Sequence, residues 1–236
     1  MLAAYAEALN NLGLGGDDTE AQDGLITIRI GFQNDVSINN VTDWKDTAKE
    51  WYDIIRGLAM VCEEKPEEVK VIGAASGSII LILAGTPVFT SLLAQVSKHI
   101  TSVAMDIVGV RVEMENLRQK RLLTKIMETE FKRLEKEKSD SALDTIGNLL
   151  DGKLKSGAGD VKIALNNSIE KLLKFSEKGG TVDFVSPDEV AESKEGEAEE
   201  SALRASVIEA RESIREYQAE REGLKLLSDG TKGANS

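Results

Sequence analysis

Residues 71–97 make up 27 positions without a single charge, in a chain where 30% of residues are charged. Such a run either crosses a bilayer, which takes ~20 apolar residues, or forms the buried centre of a fold. Its punctuation favours the second. Gly73, Ser76, Gly77, Ser78, Gly85, Thr86 and Pro87 fall where a hairpin and a helix start need them. Val69–Ala74 and Ser78–Ala84 read as two strands around a tight turn at Ser76-Gly77. The second is apolar without alternation, as expected when both faces are covered. Thr86 suits a helix cap and Pro87 a first helical turn. Beyond it, Gln95, Lys98, Ser102, Asp106 and Gly109 recur at steps of three and four, which predicts one wet helix face. The alternative is a membrane-associated effector or anchor that inserts residues 71–97. A basic cluster beyond the run supports it, since positive charges flank spans.

From Pro87 to Lys138 the one breaker is Gly109, so the sequence predicts a long amphipathic helix over 87–138. Phe89, Leu92, Val96, Ile100, Val103, Ile107, Val110, Met114 and Leu117 form a heptad-like, coiled-coil seam. Left unpaired, it would expose too much apolar surface. Val96, Ile100, Val103, Ile107, Val110, Met114 and Leu117 are therefore the candidates for self-association, unless the seam folds back on the sheet or the C-terminal helices. The pattern slips near Arg121 and resumes at Leu123, Met127, Phe131 and Leu134, which marks a stutter or a kink. Arg118, Lys120, Arg121 and Lys125 are candidates for binding an anionic partner: an acidic lipid surface, RNA or the chain's own acidic segment. Otherwise they line an exposed helix face paired to Glu115 and Glu128.

Four regions follow from the patterning. Residues 1–24 form a flexible N-terminal segment around an Ala- and Leu-rich stretch, Met1–Leu12. Residues 25–86 form a small α+β module: a strand at Leu25–Phe32, a helix from Trp44 to Glu64 capped by Thr42 or Asp43, then the hairpin. Trp44, Ala48, Trp51, Ile55, Leu58 and Cys62 make one stripe of that helix and read as core. The long helix occupies 87–138. Residues 139–236 form a helical, partly disordered C-terminal region. It comprises a connector around a short helix at Ala142–Leu150, a helix at Val161–Phe175 ended by Gly179-Gly180, a strand at Thr181–Val185, an acidic linker at 188–200, a helix at Ser201–Leu227 and a disordered tail from Ser228. The fold class is α+β.

The formal net charge is −12. Residues 1–68 carry 14 acids against 5 bases, and 188–200 carry 7 against 1. This weighs against general nucleic-acid binding, which needs clustered cations on one face. Only 111–138, with 9 bases and 6 acids, is locally positive. The one cysteine, Cys62, cannot form an intrachain disulfide and continues an apolar stripe. Met1–Gly16 lacks a positive n-region, so the expected compartment is the cytoplasm, with the membrane as the alternative. The Asn40 and Asn166 sequons then carry no modification.

No motif calls for a cofactor or a metal. Gly13-Leu14-Gly15-Gly16 precedes a strand where a phosphate cradle would follow one. In Gly73-Ala74-Ala75-Ser76-Gly77 the serine stands one place too late for a nucleophile elbow. A single histidine, His99, cannot supply both a triad base and a metal site.

The helix containing Trp44, the V-x-x-x-x-S-G-S-I turn at Val71–Ile79 and the strand after it resemble uncharacterised bacterial and prophage-type proteins. The resemblance covers Trp44–Leu83, under half the chain, and implies no activity. Taken together, these features predict a non-enzymatic structural or regulatory interaction protein. Its partner is itself, as a homo-oligomer, or another protein engaged through the long helix.

Overall fold

Strand β1 (Ile26–Phe32) carries the alternation that organises the fold: Ile26, Ile28, Ile30 and Phe32 point to one face and are buried. A computed structural model of the chain describes residues 25–75, 79–151, 159–185 and 198–233. Residues 1–24, the Ser76–Ser78 turn and most of the acidic linker lie outside the described residues. β1 pairs antiparallel with β3 (Ile79–Gly85), which pairs antiparallel with β2 (Lys70–Ala75). On its other side β1 pairs antiparallel with β4 (Thr181–Phe184). The order β2-β3-β1-β4 is an α+β arrangement, with helices laid on the face that carries the isoleucines. Leu81 and Leu83 share that face. Ile80 and Ile82 point the other way and are half-buried, while Ala84 on that same face is buried, so the second face of β3 is covered in part.

Helix α1 (Val41–Val61) starts earlier than its sequence predicts. Asn40, not Thr42 or Asp43, is the cap, and its side chain accepts from the Thr42 and Asp43 N–H groups at 2.9 and 3.0 Å. The core face of α1 is Trp51, Ile54, Leu58 and Val61. Of the predicted stripe, Ile55 and Cys62 pack half-buried against the core, while Trp44 and Ala48 are exposed, Trp44 by 41%. The shift has a packing cause. Gly57 lets α1 cross α4 (Gly159–Glu177) so closely that a Cβ there would overlap the Ser168 hydroxyl. The buried face therefore centres on Gly57.

Helix α2 (Pro87–Gln119) is capped by Thr86, as expected, and runs through the middle of the helical layer. It packs on α3 (Lys125–Asp151), α4 and α5 (Ala198–Gly233). The helix predicted over 87–138 is thus two helices folded against each other. The Leu122 N–H reaches the Leu117 carbonyl at 2.9 Å and the Arg121 N–H reaches Arg118 at 3.0 Å, a Schellman turn with Arg121 at φ 57°. α1 and α4 end in the same way, with Glu63 at φ 60° and Gly179 at φ 103°. Only the last of the three uses glycine, so in the sequence the break at Arg121 shows as a slip of the apolar pattern with no glycine to mark it.

Helix α3 continues through Ser139, Asp140 and Ser141, so the predicted connector there is helical. Its Ala142, Ile146 and Leu150 are buried, and that packing outweighs the weak propensity of the three polar residues. α5 begins within the expected acidic linker at Ala198, where carboxylates suit a helix N-terminus. It extends to Gly233, past the expected helix end at Leu227.

Candidate functional site

The three aromatic rings at the centre of the sheet face define the site. Phe32, Trp51 and Phe175 meet edge to face, with centroids 5.1 to 6.5 Å apart. Phe175 is held from behind by Gly180, where any side chain would collide with its ring. On the solvent side Phe32 and Trp51 floor a groove of about 320 Å³ between α1 and the β2–β3 hairpin. Ala48, Ile55, Val69, Leu81 and Leu83 supply its walls, and Thr47 and Glu67 are among its few polar residues. The rim is apolar and open. Trp44 is 41% exposed, Tyr52 52% and Val71 67%. Val71 owes its position to an irregularity in β2, where the pairing with β3 slips between Val71 and Gly73.

An acidic cleft adjoins the groove, sharing Phe32 and Thr47 with it. Asp35, Asp43, Asp46 and Glu50 line it, with Lys178 as the one cation among the lining residues. Asp43 is engaged in the cap of α1, where it accepts from the Asn39 N–H at 3.0 Å and the Asn40 amide at 2.9 Å. Among the described residues, no group of three or more His, Cys, Asp or Glu is arranged to hold a metal. The cleft sets these carboxylates beside the apolar lining of the groove.

The predicted interaction residues lie elsewhere. Val96, Ile100 and Ile107 are buried in the chain's own core, and Val103 packs against it half-buried. Val110, Met114 and Leu117 are half-buried farther along α2. The seam folds back on the C-terminal helices, so its first half offers no free surface. Its polar stripe is also partnered: Lys98 pairs with Glu209 of α5 at 3.0 Å and Asp106 with Lys138 of α3 at 2.7 Å. The uncharged run is β2, β3 and the start of α2, and Leu83, Phe89, Leu92, Leu93 and Val96 within it are buried. No helix among the described residues is long and apolar enough to cross a membrane.

The basic cluster sits at the α2–α3 turn. Arg118 pairs with Glu115 at 2.9 Å and, across the turn, with Glu128 at 3.8 Å. Lys120, Arg121 and Lys125 are exposed and have no ion-pair partner among the described residues. Leu122 and Ile126 beside them are 60% and 79% exposed. His99 lies half-buried in a separate cleft between α2 and α3 with Asp106, Glu137 and Lys138.

Sequence reasoning missed the groove because it assigned the whole stripe, exposed Trp44 included, to the core; Ile55 packs against the core and lines the groove as well. No family model, curated protein or solved structure matches the chain.

Proposed function

We propose that this chain is a non-enzymatic interaction protein that binds a partner in the groove between α1 and the β2–β3 hairpin. The observation that carries the reading is an exposed aromatic and aliphatic groove continuous with an acidic cleft. Aromatic side chains over a packed floor are the composition of binding hot spots. A small-molecule site encloses 70–90% of its ligand, whereas this groove is rimmed by residues that are themselves half exposed. Its shape suits apolar side chains projecting from another polypeptide. The neighbouring carboxylates select one that carries cations beside its apolar residues, since opposite potentials favour encounter and fix register.

Both tryptophans of the protein, Trp44 and Trp51, line the groove, so intrinsic fluorescence reports its occupancy. Titration with a short peptide bearing leucines flanked by lysines is expected to give a saturable blue shift. The same peptide with glutamates in place of the lysines is expected to bind more weakly, with the difference shrinking as salt is raised. Absence of any saturable response to the lysine peptide at roughly millimolar concentration, where affinities of ~4 kcal/mol are visible, would refute the reading.

A further inference from the structure

We infer that the occupant of the groove is the α2–α3 turn of a second copy of this chain. The inference rests on the groove being a binding site and adds the identity of what fills it. The turn has the chemistry that the groove selects. Leu122 and Ile126 are large, apolar and exposed, and Lys120, Arg121 and Lys125 surround them without ion-pair partners among the described residues. The receiving surface is the reverse: apolar walls next to Asp35, Asp43, Asp46 and Glu50. Apolar meets apolar and cation meets carboxylate in a single docking.

The chain's own turn does not occupy the groove, whose lining includes none of residues 120–126. Arg111 fixes α2 to the end of α4 through Glu177 at 2.9 Å and to α3 through Glu135 at 3.1 Å. From Arg111 the helix continues to Gln119, so the turn follows about 12 Å beyond this fixed point. Residues 1–24 are a poor occupant, carrying Glu7, Asp17, Asp18, Glu20 and Asp23 and no base. Placed beside the acidic cleft they would bring like charges together. An anionic membrane is the weaker partner for the turn. Three unpaired cations fall short of the roughly 4–8 found in lipid-binding clusters, and a net charge of −12 opposes approach to such a surface.

Sedimentation of the full chain across roughly 1–100 μM is expected to show association, in the range where weak specific pairs populate. A turn variant, Leu122→Asp with Ile126→Asp, and a groove variant, Tyr52→Glu, are each expected to weaken self-association by at least about tenfold. Mixed together they should pair one to one, because one retains a working groove and the other a working turn. The substituted positions are exposed, and unchanged circular dichroism verifies folding.

A wild-type chain that stays monomeric while its groove still takes up the lysine peptide overturns this inference and leaves the binding reading intact. Failure of both removes the binding reading as well. Association that persists in either variant, or variants that do not pair when mixed, also overturns it. So does a turn variant whose one defect is loss of binding to phosphatidylserine vesicles.

Discussion

The hydroxyl of Thr86 donates to the carboxylate of Glu64, whose two oxygens lie 2.7 and 2.9 Å away, while accepting the N–H of Phe89 at 3.1 Å. One side chain thus caps the start of α2 and ties it to the end of α1. Thr86→Ala removes both contacts and is expected to lower stability by about 1–2 kcal/mol. Thr86→Ser keeps the hydroxyl and should recover most of the loss. Urea midpoints at constant slope measure the difference.

Two helical glycines should respond with opposite sign. At Gly57 an added methyl meets Ser168 and the Ala164 carbonyl of α4, so Gly57→Ala is expected to destabilise by about 1–3 kcal/mol. At Gly109 nothing lies within 4 Å of the same methyl. Gly109→Ala is expected to stabilise by about 0.5–1 kcal/mol, the helix-interior penalty of glycine. Thermal melts of the two variants give the test. A Gly57→Ala variant as stable as the wild type would contradict the α1–α4 crossing.

Arg121 holds a left-handed backbone conformation that glycine adopts without strain. Arg121→Gly is therefore expected to raise stability by about 1 kcal/mol. It also removes a cation from the turn and should weaken self-association. Stability and assembly moving in opposite directions in one variant separates folding of the turn from its use.

Burial lowers the His99 pKa from 6.5, and repulsion from Lys98 adds to the effect. The unfolded chain therefore takes up the proton first as pH falls. Stability contributed by neutral His99 is complete above about 6.5 and is lost as pH falls toward the folded-state value. His99→Gln should flatten this part of the acid profile. Melting temperatures of both proteins between roughly pH 7.5 and 5 are the measurement, and parallel curves would exclude a role for His99.

Trp44→Ala removes an exposed rim residue and is expected to change stability by no more than about 0.5 kcal/mol. Its effect belongs to binding, where loss of an aromatic hot-spot residue should cost about tenfold or more in affinity for the lysine peptide. Trp51, at 3% exposure, remains as the fluorescent reporter.

Local signals in the sequence were reliable where residue chemistry decides structure without help. Thr86-Pro87, Gly179-Gly180 and the alternation of β1 each place an element boundary correctly. What stayed hidden depends on contacts distant in sequence. The pairing of β4 with β1 joins residues 150 or more positions apart. Arg121 breaks a helix through a backbone conformation that its side chain does not advertise. The groove escaped notice because periodicity shows that a helix has an apolar stripe and leaves open which part of it meets the core. Trp44 and Trp51 stand on that stripe seven residues apart, and tertiary packing buries one and exposes the other.

Helix α5 is joined to the rest of the molecule by more than its peptide linkage. Val207, Ala210 and Ile214 are buried, the Ser206 hydroxyl meets that of Ser91 at 2.6 Å, and Arg215 holds Asp183 of β4 at 2.7 Å. Arg221 donates to the Ser176 and Glu177 carbonyls at the end of α4. The order of the chain could therefore be cut between Val185 and Ala198 without undoing the architecture. Two fragments meeting there would find each other through surface alone, and the protein could be assembled from two separately made pieces of unequal length.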